Sequence, residues 1–157
     1  MKTTSSIEGV IFKELVRHND DRGFFEELIR VTDDFFEEGF GQLSHSFMYQ
    51  NVIKAWHIHK TQVDWWYVSQ GTLKVALFDM RESSKTYQTL TELTMGEYGQ
   101  HIILKIPAGV AHGCKVLSGE AELFYITSKT YDSHEEGRLP HNDPRIGYDW
   151  QVGPSIT

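Results

Sequence analysis

The sequence predicts an all-β barrel or jelly roll, on three observations. From about Val52 onward, β-branched and aromatic residues gather in short runs of strand length. Gly, Asp and Ser punctuate those runs, as residues that accept turn conformations do. Eight such runs follow one another, with almost nothing helical between them.

The first two expected strands span residues 44–50 and 52–59. Residues 63–69 and 72–79 form the next pair, with Ser69-Gln70-Gly71 as a tight turn in which Gly71 supplies a positive φ. Strands at 87–93 and 101–106 follow, and then 113–117 and 121–128, joined across Ser118-Gly119. Helical turns are expected only at 32–38, where Thr32 caps and acidic residues suit the first turn, and at 133–137. The polar tail, 140–157, is expected to pack along the barrel rather than form a unit of its own.

The 157 residues suffice for one sizeable core, so a single domain over 1–157 is expected. Hydrophobic content of 39% and aromatic content of 13% argue for a packed protein. With 15 Lys+Arg against 22 Asp+Glu, the net charge of −7 opposes nucleic-acid backbones and anionic membranes. A phosphate-bearing ligand therefore needs a local basic cluster, for which Arg22, Arg30, Lys54 and Lys60 are the candidates. Cys114, the single cysteine, excludes an internal disulfide and suits a reducing compartment and a small buried role. MKTTSSIEG carries no apolar run for a signal peptide, so the expected location is the cytoplasm.

The strongest local pattern is Trp56-His57-Ile58-His59, followed by Asp64 and then Gly71. Alternate side chains of a strand share a face, so His57 and His59 point together, and Asp64 and Trp66 form the matching face of the next strand. Pro107-Ala108-Gly109-Val110-Ala111-His112 comes later. Together these resemble the two motifs of the cupins, which implies an all-β cupin jelly-roll barrel. That resemblance makes His57, His59, Asp64 and His112 a possible ligand set for a divalent transition metal.

A second resemblance covers roughly residues 7 to 150. Arg22-Gly23-Phe24-Phe25-Glu26-Glu27 is similar to the Arg-Gly-x-Phe-x-Glu motif of the dTDP-4-dehydrorhamnose 3,5-epimerase family. Gln42-Leu43-Ser44-His45-Ser46, Asp79-Met80-Arg81 with Ser84 and Thr86, the Pro107 to Gly113 run, Tyr125, Tyr131 and Asn142-Asp143-Pro144 extend the match in order. The resemblance implies an enolate mechanism, without a cofactor, that inverts carbons beside a sugar 4-keto group. It makes His57 the catalytic base, Tyr125 the proton donor and His112 a histidine near the sugar. Arg22, Phe25, Glu27, Gln42, Ser44, Lys54, His59 and Tyr131 fall to substrate binding, with Lys54 in place of an arginine and Ser44 in place of an asparagine. It also implies a homodimer formed by exchange of N-terminal strands.

Asp64 stands where the family has its enolate-stabilising lysine, and the family's C-terminal Leu-Ser-x-Lys-Asp run, whose aspartate orients the base, has no match. Asp64 is therefore expected either to orient His57 through a hydrogen bond or to ligate a metal whose charge replaces the lysine. His57-Ile58-His59-Lys60 is also similar to the His-Ala-His-Lys run of the dTDP-sugar 3,4-ketoisomerases, which implies a second possible reaction through the same enolate.

Overall fold

A computed structural model describes residues 2–151. Its strands are β1 (Lys2–Thr4), β2 (Ile11–Glu14), β3 (His18–Asp20), β4 (Gly23–Phe25), β5 (Gln42–Met48), β6 (Ile53–His59), β7 (Asp64–Asp79), β8 (Leu90–Gly96), β9 (Ile102–Ile106), β10 (Val110–Thr127) and β11 (Glu136–Arg138). A 3₁₀ turn at Asp34–Phe36 is the helical element among the described residues, and no helix there is long and apolar enough to cross a membrane.

Two long strands organise the rest. β7 and β10 run antiparallel along their whole length, from Asp64 opposite Thr127 to Asp79 opposite Val110. Register shifts around Ser118 and Glu122 let the pair bend from one layer into the next. One layer has the order β1-β2-β9-β7-β10-β5 and the other β8-β7-β10-β6-β11, with β3–β4 a separate hairpin. The expected strands at 63–69 and 72–79 are therefore halves of one strand, as are 113–117 and 121–128. Gly71 has a φ of 76°, but it marks a strand crossing rather than a hairpin, since a Cβ there would lie 2.2 Å from the Glu120 carbonyl oxygen.

Other differences have local causes. The strand expected at 87–93 begins at Leu90 because the preceding loop folds around the Asp79 carboxylate. That carboxylate accepts hydrogen bonds from Arg81 Nε, Ser84 Oγ and Thr86 Oγ1 at 2.8, 2.7 and 2.6 Å. Thr32 does not cap: Asp33 holds the cap position, and its carboxylate instead accepts from Lys13 Nζ at 2.6 Å and from the Arg30 amide at 2.9 Å. The helical turn expected at 133–137 gives way to β11, which pairs with β6.

Burial follows the strand period. Trp66, Val68, Leu73, Val75, Leu77, Leu104 and Leu123 fill the space between the layers. On the outside of one layer, Phe35 and Phe36 cover Trp65 and Ile103. On the outside of the other, Ile146 and Trp150 of the tail cover Trp56, Ala76 and Phe78, so the tail does pack along the barrel as far as it is described. Residues 152–157 of the expected tail lie outside the described residues.

Candidate active site

Alternation on β6 turns Lys54, His57 and His59 into the barrel and Ile58 onto the outer face. On β10 it turns His112, Cys114, Tyr125 and Thr127 inward, and on β7 Asp64 and Trp66. Gln42 of β5, Tyr131 of the following loop and Glu136 of β11 complete the walls of a cavity of about 290 Å³.

His57 is oriented by Glu136. Its Nδ1 lies 3.2 Å from Glu136 Oε1, and Arg138 Nη2 flanks the same carboxylate at 3.3 Å. Burial holds the His57 imidazole below its ordinary value, against the pull of Glu136. The ring is thus neutral near pH 7, with Nδ1 held by the carboxylate and Nε2 left as the basic atom. Asp64 does not orient His57 as expected. Glu136 was not a sequence candidate, because it sits in a segment that reads as a helical turn. Its strand alternation with Arg138 is the only local signal for it.

Asp64 is buried beside the other two histidines. Its Oδ1 is 3.8 Å from His59 Nε2 and its Oδ2 is 3.8 Å from His112 Nε2. Gln62 Nε2 donates to Oδ1 at 3.1 Å, and Trp66 Nε1 donates to Oδ2 at 3.3 Å. His112 has Nδ1 3.0 Å from the Val110 carbonyl, and complete burial pushes its pKa down to about 4. Three of the four expected metal ligands therefore converge. His57 stands apart, turned to Glu136, with its ring centroid 6.3 Å from that of His112.

The expected nucleotide contacts divide in two. Gln42, Lys54 and Tyr131 line the cavity, Gln42 Oε1 accepting from the Tyr131 amide at 3.0 Å and Lys54 Nζ donating to Ser46 Oγ at 2.9 Å. Ser44 accepts from Gln42 Nε2 at 3.0 Å. Arg22, Phe25 and Glu27 do not reach this cavity: Phe25 is 64% exposed on β4, Arg22 pairs with Asp20, and Glu27 pairs with Arg30. Cys114 is buried and its thiol is pushed up to about 12, which suits the inert role expected of it.

A two-layered β-barrel with an interior cavity walled by histidines, a tyrosine and a carboxylate defines a cupin jelly roll with a small-molecule site. The family model described as dTDP-4-dehydrorhamnose 3,5-epimerase matches residues 4–157, and the chain belongs to that family of isomerases. Spore coat polysaccharide biosynthesis protein SpsL of Bacillus subtilis is 45% identical over 150 residues, 93% of this chain and 97% of that protein. The probable low-salt glycan biosynthesis epimerase Agl13 of Haloferax volcanii is 34% identical over 151 residues, 94% of this chain and 96% of that one. The crystal structure of a dTDP sugar isomerase from Desulfovibrio desulfuricans superposes with a TM-score of 0.88 at 26% identity, covering 95% of each chain.

Proposed function

We propose that the protein inverts C3, C5 or both in a nucleotide-linked, dTDP-bearing 4-keto-6-deoxyhexose, through an enolate. The observation that carries this is the neutral, Glu136-oriented His57 in the same cavity as Tyr125. A C–H beside a carbonyl yields its proton only to a base held within hydrogen-bonding reach. His57 Nε2 takes that proton, the electron pair moves onto the 4-keto oxygen, and the Tyr125 hydroxyl returns a proton from the other face. His112 and Asp64 stand beside the sugar, while Gln42, Ser44, Lys54, His59 and Tyr131 hold the rest of the substrate. Family membership and the names of the relatives support a place in polysaccharide or deoxysugar synthesis.

Arg22, Phe25 and Glu27 serve a second copy of the chain in this reading, which makes the working unit a homodimer of single-domain, cytoplasmic subunits. The exposure of Phe24 and Phe25 at the β3–β4 hairpin, 52% and 64%, supports it.

The test is solvent exchange. With dTDP-4-keto-6-deoxyglucose in heavy water, the sugar C3 or C5 proton signals are expected to fade with wild-type protein and to persist with His57→Ala. A 3-keto product would reassign the reaction to ketoisomerisation, which His59 in the cavity would serve. Persistence of both signals with wild-type protein would overturn the enolate reading for this substrate.

A further inference from the structure

We infer that His59, Asp64 and His112 form a binding site for one divalent first-row transition metal ion. Each residue offers one ligand atom, and the three atoms lie within 4.8 Å of one another. Ligands about 2.1 Å from a tetrahedral ion stand roughly 3.4 Å apart, so the two 3.8 Å carboxylate–imidazole separations need only a small contraction.

Hydrogen bonding shows which atoms carry protons. The Val110 carbonyl can only accept, so His112 Nδ1, 3.0 Å away, carries the hydrogen, and the Nε2 lone pair faces Asp64 Oδ2. Gln62 Nε2 lies 3.4 Å from His59 Nε2 and 3.1 Å from Asp64 Oδ1, and as an amide donor it marks both as acceptors. Three electron-rich atoms thus face one another where Asp64 is 3% and His112 4% exposed. Such an arrangement is costly unless positive charge lies among them. A shared proton does not serve, because 3.8 Å is too long for a hydrogen bond and burial disfavours an imidazolium at His112.

The surroundings match those of a ligating set. The Val110 carbonyl fixes the His112 ring, while Gln62 and Trp66 Nε1 fix the two carboxylate oxygens. Two imidazoles and a carboxylate suit zinc, iron, manganese, cobalt or nickel and leave coordination positions open. All three residues line the cavity, so those positions face the substrate space. On the proposed function, the ion would bring to the 4-keto oxygen the positive charge that Asp64 itself lacks. That consequence rests on the enolate reading; the binding of the ion does not.

The experiment titrates Co²⁺ into EDTA-treated full-length protein without substrate, followed by calorimetry and visible absorption, with Zn²⁺ as competitor. One equivalent is expected in wild type and in His57→Gln, with ligand-field bands that Zn²⁺ abolishes. Asp64→Asn, which keeps the side-chain volume, and His59→Gln are each expected to weaken binding by about tenfold or more. Circular dichroism confirms that each variant is folded, and should one variant fail to fold, the other decides. Absence of saturable binding by wild type overturns the proposal, as does binding that a folded Asp64→Asn or His59→Gln leaves unchanged. Failure of proton exchange alongside tight Co²⁺ binding would overturn the epimerase reading and leave the metal site standing.

Discussion

Glu136→Gln isolates what the carboxylate does for His57. When His57 takes a proton it becomes an imidazolium 3.2 Å from Glu136 Oε1. At an effective dielectric of about 20, two unit charges at that distance attract by about 5 kcal/mol. The His57 side chain is 38% exposed, so solvent screens much of that, and a charge-assisted hydrogen bond of about 1.5–3 kcal/mol is the better scale. Glutamine keeps the shape and loses the charge. It also leaves the Arg138 guanidinium, now 3.3 Å from Glu136, without its counterion near the forming cation. Because His57 is neutral in the resting site, the charge appears only as the proton moves, and the loss belongs to the transition state. The expected result is a fall in kcat of roughly 10- to 150-fold with KM little changed, read from initial rates of C3 and C5 exchange. An unchanged kcat, or a rise in KM with kcat preserved, would refute the assignment of Glu136 as the group that positions His57.

Asp79→Asn tests the loop anchor through pH. Despite burial, which raises it, the Arg81, Thr86 and Ser84 hydrogen bonds hold the Asp79 carboxyl far below the usual carboxylate range. Its contribution is therefore present above the unfolded value of about 3.9 and lost as pH falls below it. In urea melts the variant is expected to be less stable at pH 7 by about 3–5 kcal/mol, with the gap to wild type narrowing toward pH 3. A gap that does not vary with pH would contradict this. Trp150→Ala removes a ring that is 2% exposed and 5.1 Å from the Trp56 ring on the back of β6. A loss of about 3–5 kcal/mol is expected in the same assay, and a loss under about 1 kcal/mol would show that the tail does not brace that strand.

Local pattern carried the inward set. His57 and His59 are two residues apart on β6, and Asp64 and Trp66 keep the same spacing at the start of β7, so a period of two sufficed to place them together. Gly71 and Gly119 misled because positive φ serves a hairpin and a strand bend equally well, and only the long-range pairing of β7 with β10 distinguishes them. Glu136 was invisible for a related reason. Its position opposite His59 and its reach to His57 arise from β11 docking on β6, a pairing across dozens of residues that no local signal encodes. The Arg22-Gly23-Phe24-Phe25 run was legible as a motif and still gave no geometry, since in one chain it sits on a hairpin away from the cavity.

Because β7 and β10 pass uninterrupted through both layers, the two walls of the cavity are lengths of the same two ribbons. His112 sits near one end of β10, among the residues that pair with β6, and Tyr125 near the other, opposite Ser44 of β5. Prising the layers apart would tear the ladder that joins β7 to β10, a far costlier motion than the swing of a surface loop. Breathing of the barrel therefore offers the substrate no entrance, and the distance between the acid and base walls is set by backbone rather than by side-chain packing. Traffic in and out falls to the loops and to the short β11, whose departure would release Glu136 from His57 in the same movement.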